Sequence, residues 1–228
     1  MHKINQEADQ TEGVLRLSMD AKAEVKLGPY SRRGYSRVKV EAADHDFEST
    51  GTLTPFSIFL PKYDDLFISF AESRITSDYI WDRIEELWPR LEALYRPTTL
   101  VLNQDNGPEC QSGRTQFIKR AVDFANEHGV KIQLAYYPPY HSKYNPVERT
   151  HGVLEQHWNG MLLTDVETTI RIAENMKWKG KHPVVTLVEK VYQKGVKLTK
   201  KAMAAYEAII RRLPGLEKWF VEINPCNA

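Results

Sequence analysis

Hydrophobic residues at the start of the chain recur with the spacing of β-strands. A short apolar run at 14–17 leads to Asp20. Two further runs, 53–60 and 66–70, are separated by a turn-forming segment, and this arrangement predicts a hairpin. The polar stretch 28–37 predicts another turn, with extended structure resuming after it. The start of the chain therefore predicts an antiparallel sheet.

From residue 77 onward the pattern changes to helices that alternate with short strands. Apolar residues recur at helical spacing from Ile80 to Leu94, and Ser77 is available as the cap of this helix. The remaining predicted elements are a strand at 99–102, a helix at 114–128, a strand at 131–135, a loop at 136–145 and a helix from 145 to 161. The order βββαβαβα predicts an α/β fold with a mixed five-stranded sheet flanked by helices, as in ribonuclease H-like nucleases and integrases.

The 228 residues divide into three predicted segments. Residues 1–12 are polar and are expected to form a flexible N-terminus. Residues 13–163 hold the predicted sheet and its helices. Residues 164–228 are expected to be a C-terminal helical extension, because the pattern is helical to about Leu213 with a start at Thr199. A hydrophobic content of 42% is enough to bury one substantial core.

Composition narrows the class of protein. With 31 basic and 30 acidic side chains the net charge is +1, so binding to nucleic acid needs local clusters of charge. The two cysteines, Cys110 and Cys226, have no metal-ligand spacing and form no disulfide framework, which is typical of a reducing compartment. No apolar run approaches the roughly 20 residues that span a bilayer. We therefore expect a cytoplasmic protein with no membrane partner and no zinc site.

Three acids on separate predicted elements are candidates for metal-assisted phosphodiester chemistry. Asp20 follows the first strand, Asp105 ends the fourth strand, and Glu148 lies in the first turn of the helix after the fifth. In this strand order the first and fourth strands are neighbours, so the two aspartates are expected side by side, with Glu148 closing the site. Chemistry with two metal ions needs carboxylates that bridge or flank ions about 4 Å apart.

Each acid also has a purely structural interpretation. The sequence DNG at 105–107 is favourable for a turn by itself. The sequence NPVE at 145–148 has an Asn cap, proline at the first helical position and glutamate at the third, so helix capping explains it fully. Asp20 is compatible with an ordinary strand-end acid, and Asp44 and Asp46 are rivals for the first position. Periodicity does not choose between these interpretations.

A resemblance to a known family decides between them. The segment AYYPPYHSKYNPVERTHGVLEQHWNG at 135–160 resembles the third motif of DDE transposases, in which a Pro-Pro loop precedes Asn-Pro-x-Glu. The stretches SMDAKAEVKLG, DHDF, LVLNQDNGPE and MKWKGKHPVV resemble the ISAzo-type family of bacterial insertion-sequence transposases, distant relatives of mariner-like elements. The resemblance implies a ribonuclease H-like integrase core at 13–163, with Asp20, Asp105 and Glu148 as the catalytic, metal-binding triad.

The activity that this resemblance implies is DNA transposition. Metal-assisted hydrolysis at an element end releases a 3′ hydroxyl, which then attacks target DNA at the same site. Hard oxygen ligands favour two Mg²⁺ ions per active site, with Mn²⁺ as a substitute. The implied partners are double-stranded DNA, as transposon ends and target, and a second copy of the chain in a homodimeric DNA complex. The alternatives are a ribonuclease H-like nuclease without strand transfer and a non-catalytic DNA-binding remnant.

One feature departs from the family pattern. Transposases of this kind usually carry an upstream helix-turn-helix region that recognises the ends of the element. Here the first catalytic acid is already residue 20, so such a region does not fit before it. We therefore expect a fragment or a truncated reading frame that lacks end recognition.

Residues around the triad are candidates for supporting roles. Asn106 is expected either to offer its amide oxygen to the metal or to contact one of the residues that bind the metal. His151 follows Glu148 by three residues, on the same helical face, and is expected to contact the scissile phosphate or orient a carboxylate, unless it is a simple surface histidine. Glu155 is a possible substitute acid, although a surface position is the simpler interpretation.

Basic residues in three segments are candidates for contacts with DNA phosphates, with a solvated surface as the alternative. These candidates are Lys22, Lys26, Arg32, Arg33 and Arg37 after Asp20, His141 and Lys143 in the loop before Glu148, and Lys200 and Lys201 further on. The last two belong to the segment 177–201, which holds eight lysines and a single acid, Glu189. The tyrosines at 136, 137, 140 and 144 are expected either to stack on bases or to pack on the core.

Overall fold

The computed structural model describes residues 1–30, 32, 49–138, 141 and 144–226. Several predictions concern residues outside this set. They are the extended segment after the first turn, the rival acids Asp44 and Asp46, Tyr140, and the DNA-binding candidates Arg33, Arg37 and Lys143.

The described residues contain nine strands and six helices. The strands are β1 (Val14–Ala21), β2 (Val25–Leu27), β3 (Gly51–Leu60), β4 (Asp65–Ala71), β5 (Thr99–Asp105), β6 (Lys131–Tyr137), β7 (Val184–Val188), β8 (Ile210–Arg212) and β9 (Phe220–Ile223). The helices are α1 (His2–Gln10), α2 (Ser77–Tyr95), α3 (Thr115–His128), α4 (Pro146–Trp158), α5 (Val166–Glu174) and α6 (Lys200–Glu207).

The strands form one mixed sheet with β1 near its centre. The order is β7-β4-β3-β1-β5-β6-β9-β8, and β2 pairs with β3 outside this path. β3 and β4 form the predicted hairpin, β1 is antiparallel to β3, and β1 and β5 run parallel to each other. The predicted antiparallel start and the predicted neighbouring of the first and fourth core strands are therefore confirmed.

Alternation along β1 separates the two faces of the sheet. Leu15, Leu17 and Met19 are buried in the cluster that α2 and α3 cover. Arg16 and Ser18 are also buried but face the other side, where the Asp9 side chain of α1 and the Val147 amide of α4 meet them. Since successive residues of a strand point to opposite faces, Asp20 lies on the same side as Ser18. The first candidate acid thus faces α4, the helix that carries Glu148.

The second face of the sheet is closed mainly by α4 and α5. Val147, Leu154 and Trp158 of α4 are fully buried in a cluster with Phe70 of β4 and Ala173 of α5. These three α4 positions recur at helical spacing, so one stripe of the helix packs on the sheet. This packing fixes the rotation of α4 about its axis and so the direction in which its first turn points.

The C-terminal region differs from the helical extension that the sequence predicts. Within the described residues, 164–226 contain three strands as well as two helices. β7 pairs in parallel with β4, and β9 pairs antiparallel with β6, so the sheet extends beyond the five predicted strands. Strands of three to five residues have no marked period. Pairing of β7 with β4, of β9 with β6 and of β8 with β9 fixes their conformation.

The N-terminal residues also differ from the flexible segment that their polarity predicts. α1 docks on the sheet through Arg16, which is only 7% exposed. The Arg16 guanidinium donates to both carboxylate oxygens of Asp9, at 2.9 and 2.5 Å, and to the Asn103 side chain at 3.2 Å. A buried guanidinium needs such partners, and this need holds the polar helix in place.

The start of α2 corrects a smaller prediction. Thr76, not Ser77, caps the helix, because the Thr76 hydroxyl accepts a hydrogen bond from the amide of Tyr79 at 3.2 Å. Ser77 instead donates to the carbonyl of Glu109 at 2.6 Å. This contact joins α2 to the loop that follows β5. Among the described residues, no helix combines the length and apolar character needed to cross a membrane.

The ion pair between Asp9 and Arg16 provides a test of this docking. Asp9→Asn is expected to lower the free energy of unfolding by roughly 2–4 kcal/mol, because it leaves a buried guanidinium without its counter-charge. Glu7→Gln removes the exposed Lys3–Glu7 pair on the same helix and is expected to cost about 0.5 kcal/mol at most. Urea unfolding of both variants measures the difference. Equal effects of the two changes would mean that α1 is not held by Arg16.

Candidate active site

The pairing of β1 with β5 brings Asp20 and Asp105 to one edge of the sheet. The parallel register runs from Val14 opposite Thr99 to Ser18 opposite Asn103. Each aspartate lies two residues beyond that last pair, so the two side chains share a face. Both line a cavity of about 210 Å³ at this edge. The predicted juxtaposition of the two acids therefore follows from strand register.

A buried serine joins β1 to the start of α4. The Ser18 hydroxyl donates to the side-chain oxygen of Asn145 at 2.5 Å and accepts from the amide of Val147 at 3.0 Å. The Asn145 amide group donates in turn to the carbonyl of Met19 at 3.0 Å. Asn145 thus occupies the predicted cap position, but its side chain does not cap α4. The hydroxyl of Ser18 satisfies the free amide of the first turn instead.

This connection brings the first turn of α4 to Asp20. Glu148 lies in that turn, next to the Ser18-bonded amide of Val147. Asp20, Glu148 and His151 each offer a ligand atom, and these atoms all lie within 4.8 Å of one another. Among the described residues a second such group, Glu85, Glu127 and His128, lies on α2 and α3. The Asp20 group differs from it in lying beside a further acid, Asp105.

Burial and like charges shift the protonation of Asp20. Burial, together with the neighbouring carboxylates of Asp105 and Glu148, raises the pKa of Asp20 to about 7. A carboxylate in this position is costly when it is ionised without a counter-ion. A bound cation would offset both the burial and the repulsion, and carboxylate oxygens are the ligands that hard divalent ions prefer. The residues present therefore fit a divalent metal.

His151 is not the surface histidine of the simpler interpretation. It is only 6% exposed, its Nε2 lies 3.0 Å from the Ser57 hydroxyl, and its Nδ1 lies 4.0 Å from a carboxylate oxygen of Asp20. Burial, together with the charge of Lys22, lowers the pKa of His151 to about 4. The imidazole is therefore neutral at neutral pH and has lone-pair electrons available.

The loop after β5 fixes the Asp105 carboxylate. One carboxylate oxygen accepts from the amide of Gly107 at 3.2 Å. A Cβ on Gly107 would lie 3.0 Å from that oxygen, so a larger residue would require the carboxylate to shift slightly. Asn106 points its side-chain oxygen to the amide of Ser112 at 3.3 Å, and the Cys110 thiol lies 3.3 Å from the carbonyl of Asp105. Turn formation and placement of the carboxylate thus occur together here.

The basic candidates are dispersed around the site. Lys22 forms a 2.6 Å ion pair with Glu155, so neither side chain is simply solvated. The Arg32 guanidinium lies 5.7 Å from the centre of the Trp158 ring and donates to the carbonyl of Lys26 at 3.1 Å. These contacts place both cations beside α4.

The other DNA-binding candidates lie further along the chain. Lys200 and Lys201 are exposed in the first turn of α6, after the Thr199 cap. The segment before α6 reaches the start of α3, because the amide of Leu198 donates to the Thr115 hydroxyl at 2.9 Å. His141 is exposed, with its ring stacked on Tyr144 at 5.8 Å.

Two of the candidate tyrosines, Tyr136 and Tyr137, pack in the core. β6 extends through Tyr136 and Tyr137, which the sequence places in a loop, and both side chains are buried. The Tyr136 hydroxyl donates to the carbonyl of Cys110 at 2.8 Å. These two residues therefore pack on the protein, whereas Tyr144 is 57% exposed.

Sequence reasoning missed Ser18, Ser57 and the actual role of the Asn145 side chain. The position of Ser18 was predictable, because a residue two positions before Asp20 on a strand lies on the same face as Asp20. The position of Ser57 was not predictable. It lies opposite Asp20 only through the register of β1 against β3, which depends on tertiary structure.

Comparison with known protein families gives a match over nearly the whole chain. The family described as Rhodopirellula transposase DDE domain matches residues 1–225. This match confirms the resemblance inferred from the sequence motifs. A search of curated proteins found no match.

Two solved structures with a similar fold are complexes of the Mos1 transposase. The Mos1 transposase paired-end complex with the left transposon end aligns with a TM-score of 0.53 and 9% identity, covering 75% of this chain and 49% of that chain. The Mos1 mariner paired-end complex with Mn aligns with a TM-score of 0.50 and 8% identity, covering 75% and 50%. The chain thus spans about half the length of the Mos1 chains. This likeness confirms the predicted ribonuclease H-like fold.

Removal of the Ser18 hydroxyl tests the connection between β1 and α4. Ser18→Ala is expected to lower the free energy of unfolding by roughly 2–3 kcal/mol, because the buried amide of Val147 and the oxygen of Asn145 lose their partner. Ser73→Ala removes an exposed hydroxyl that bonds the carbonyl of Lys190 and is expected to change it by less than about 0.5 kcal/mol. Urea denaturation compares the two. A loss of similar size in both variants would remove Ser18 from this role.

The raised pKa of Asp20 predicts how stability depends on pH without divalent metal. Between about pH 4 and pH 7 the folded chain keeps a proton that Asp20 has released in the unfolded chain, so stability falls as pH rises. Asp20→Asn is expected to flatten this slope and to be more stable than wild type at pH 8 by at least about 1 kcal/mol. Urea unfolding with a chelator across this pH range measures both. An unchanged slope in the variant would show that Asp20 is not the titrating group.

Proposed function

Because the chain belongs to the transposase DDE domain family that matches its residues 1–225, we propose that it cleaves DNA at a transposon end and joins that end to target DNA. Asp20, Asp105 and Glu148 are the catalytic triad in this proposal. The observation that carries it is the meeting of these acids from β1, β5 and α4, where burial and the two neighbouring carboxylates raise the pKa of Asp20 to about 7.

The metal requirement follows from the same cluster. Asp20, Asp105 and Glu148 would hold two Mg²⁺ ions, with Mn²⁺ as a substitute, since carboxylate oxygens suit both. When bound, such ions supply an activated attacking oxygen and stabilise the leaving oxygen of an in-line displacement. Asn106 supports Asp105 from the loop, through its hydrogen bond to the amide of Ser112.

The protein's own residues contribute position and charge. The Ser18–Asn145 connection holds Glu148 against Asp20, so the two carboxylates meet in one orientation without needing to be ordered by DNA. Gly107 leaves room for the Asp105 carboxylate to face the cavity. This preorganisation is how a static acid cluster contributes to phosphoryl transfer, because no ordering cost remains at the time of reaction.

DNA is the proposed macromolecular partner. Lys22 and Arg32, which flank α4, and Lys200 and Lys201 on α6 are proposed to contact phosphates. Arg33, Arg37, His141 and Lys143 complete the set of proposed DNA-binding residues. With a net charge of +1, such local groups have to supply the attraction to DNA. We also propose that residues 13–163 form the catalytic core, that two copies act in one DNA complex, and that the chain works in the cytoplasm.

Neutralising each acid tests the catalytic assignment. Asp20→Asn, Asp105→Asn and Glu148→Gln are each expected to reduce Mn²⁺-dependent nicking of supercoiled DNA at least about a hundredfold, because each removes a metal-binding charge. Glu155→Gln, on the same helix but paired with Lys22, is expected to retain nicking. Nicking by all three acid variants at the wild-type rate would contradict the triad.

The products of the same reactions separate transposition from simpler activities. The proposal predicts both nicked DNA and molecules in which a 3′ end has been joined to a second DNA. Nicks without joined products would indicate a nuclease that lacks strand transfer. Intact DNA in the presence of folded wild-type protein and metal would indicate a non-catalytic remnant.

A further inference from the structure

A histidine lies beside the acid cluster, although the proposed triad contains only acids. In the antiparallel register of β1 and β3, Asp20 lies directly opposite Ser57. Directly paired residues project to the same face, so the carboxylate and the hydroxyl stand side by side. His151 lies across both, one helical turn after Glu148 on α4.

The two ring nitrogens of His151 have different surroundings. Nε2 lies at hydrogen-bond distance from the buried Ser57 hydroxyl, 3.0 Å away. Nδ1 faces a carboxylate oxygen of Asp20 at 4.0 Å, which is too long for a hydrogen bond. Within the described part of the chain Nδ1 has no hydrogen-bond partner, although the residue is only 6% exposed. This nitrogen of a buried residue faces a carboxylate without touching it, so a third atom that binds both would fit between them.

The separation of these two atoms suits a metal ion. Bonds from a divalent ion to oxygen or imidazole nitrogen are about 2.1 Å long, so two ligands of one ion lie no more than about 4.2 Å apart. The 4.0 Å between Nδ1 and the Asp20 oxygen is within this limit. The second nitrogen is also occupied as in known metal sites, where the outer N–H of a ligating histidine is held by a protein acceptor.

We propose that Nδ1 of His151 is a direct ligand, with Asp20 and Glu148, of one of the metal ions of this site. This inference rests on the proposed function, because it deepens the metal site of the same acid cluster. Ser57 holds the ring with Nδ1 toward the cluster. The site is therefore a mixed nitrogen and oxygen site, and not one of carboxylates alone.

The nitrogen ligand determines which metal the site prefers. Oxygen ligands suit Mg²⁺ and Mn²⁺ alike, whereas imidazole adds affinity for transition metals and little for Mg²⁺. The chain should therefore bind Mn²⁺ more tightly than Mg²⁺, and the difference should depend on His151. Positioning of Asp20 by His151 alone would affect the two metals equally.

Pulsed electron paramagnetic resonance of the Mn²⁺-loaded chain tests the ligand directly. The proposal predicts ¹⁴N coupling to Mn²⁺ in the wild-type chain, replaced by ¹⁵N coupling when histidine is labelled. The coupling should vanish in His151→Gln and persist in His157→Gln. His157 lies further along α4, where its ring bonds the carbonyl of Ile172 of α5. The coupling should also persist in His128→Gln, which removes the histidine of the other group of potential ligands.

The outcomes that overturn the proposal are distinct from failure of the proposed function. Mn²⁺ bound at the acid cluster without nitrogen coupling, or coupling lost in His128→Gln but kept in His151→Gln, would remove His151 as a ligand and leave the triad standing. No binding of Mn²⁺ to the folded wild-type chain would overturn both.

Calorimetry supplies the second readout. His151→Gln is expected to weaken Mn²⁺ binding at least about tenfold while changing Mg²⁺ binding by less than about twofold. An equal loss for the two metals would overturn direct ligation and assign His151 to positioning. Asp20→Asn, in contrast, is expected to weaken binding of both metals, since it removes an oxygen ligand that either ion uses.

Discussion

The parallel pairing of β1 with β5 is the constraint on which the candidate site depends. It ends at Ser18 and Asn103, and it leaves Asp20 and Asp105 two residues further on, at the same edge and on the same face. Ser18 then extends the constraint to α4, because its hydroxyl bonds both Asn145 and the amide of Val147. Strand register and one buried hydroxyl thus place three acids from distant parts of the chain together.

The arrangement carries an electrostatic cost that points to its use. Burial and two neighbouring carboxylates raise the pKa of Asp20 to about 7, so ionisation of Asp20 is disfavoured in the metal-free cluster. A fold optimised only for stability would have no reason to bury acids beside one another. Divalent ions reverse this balance, since they attract the same charges that repel one another. In this account, the electrostatic cost of the acid cluster in the metal-free protein is relieved when a divalent ion binds, and this relief contributes to the affinity for metal.

The sequence predicted the elements that have strong local signals. The hairpin of β3 and β4, the Gly129 end of α3 and the Pro146 start of α4 each depend on neighbouring residues, so spacing and turn chemistry revealed them. The motifs also indicated Asp20, Asp105 and Glu148 as a group. What stayed hidden depends on tertiary contacts. The strands β7 and β9 form by pairing with distant strands, and Ser57 reaches His151 only through the register of β3.

The measurement that tests the central claim most directly is calorimetric titration of Mn²⁺ into the chain and into its Asp105→Asn variant. Metal binding depends on the acid cluster and needs neither end recognition nor a second DNA, so it isolates the site itself. The account predicts binding to the wild-type chain at neutral pH and a loss of affinity of at least about tenfold in the variant. Equal affinity in both proteins, or no binding to the folded wild-type chain, would contradict it.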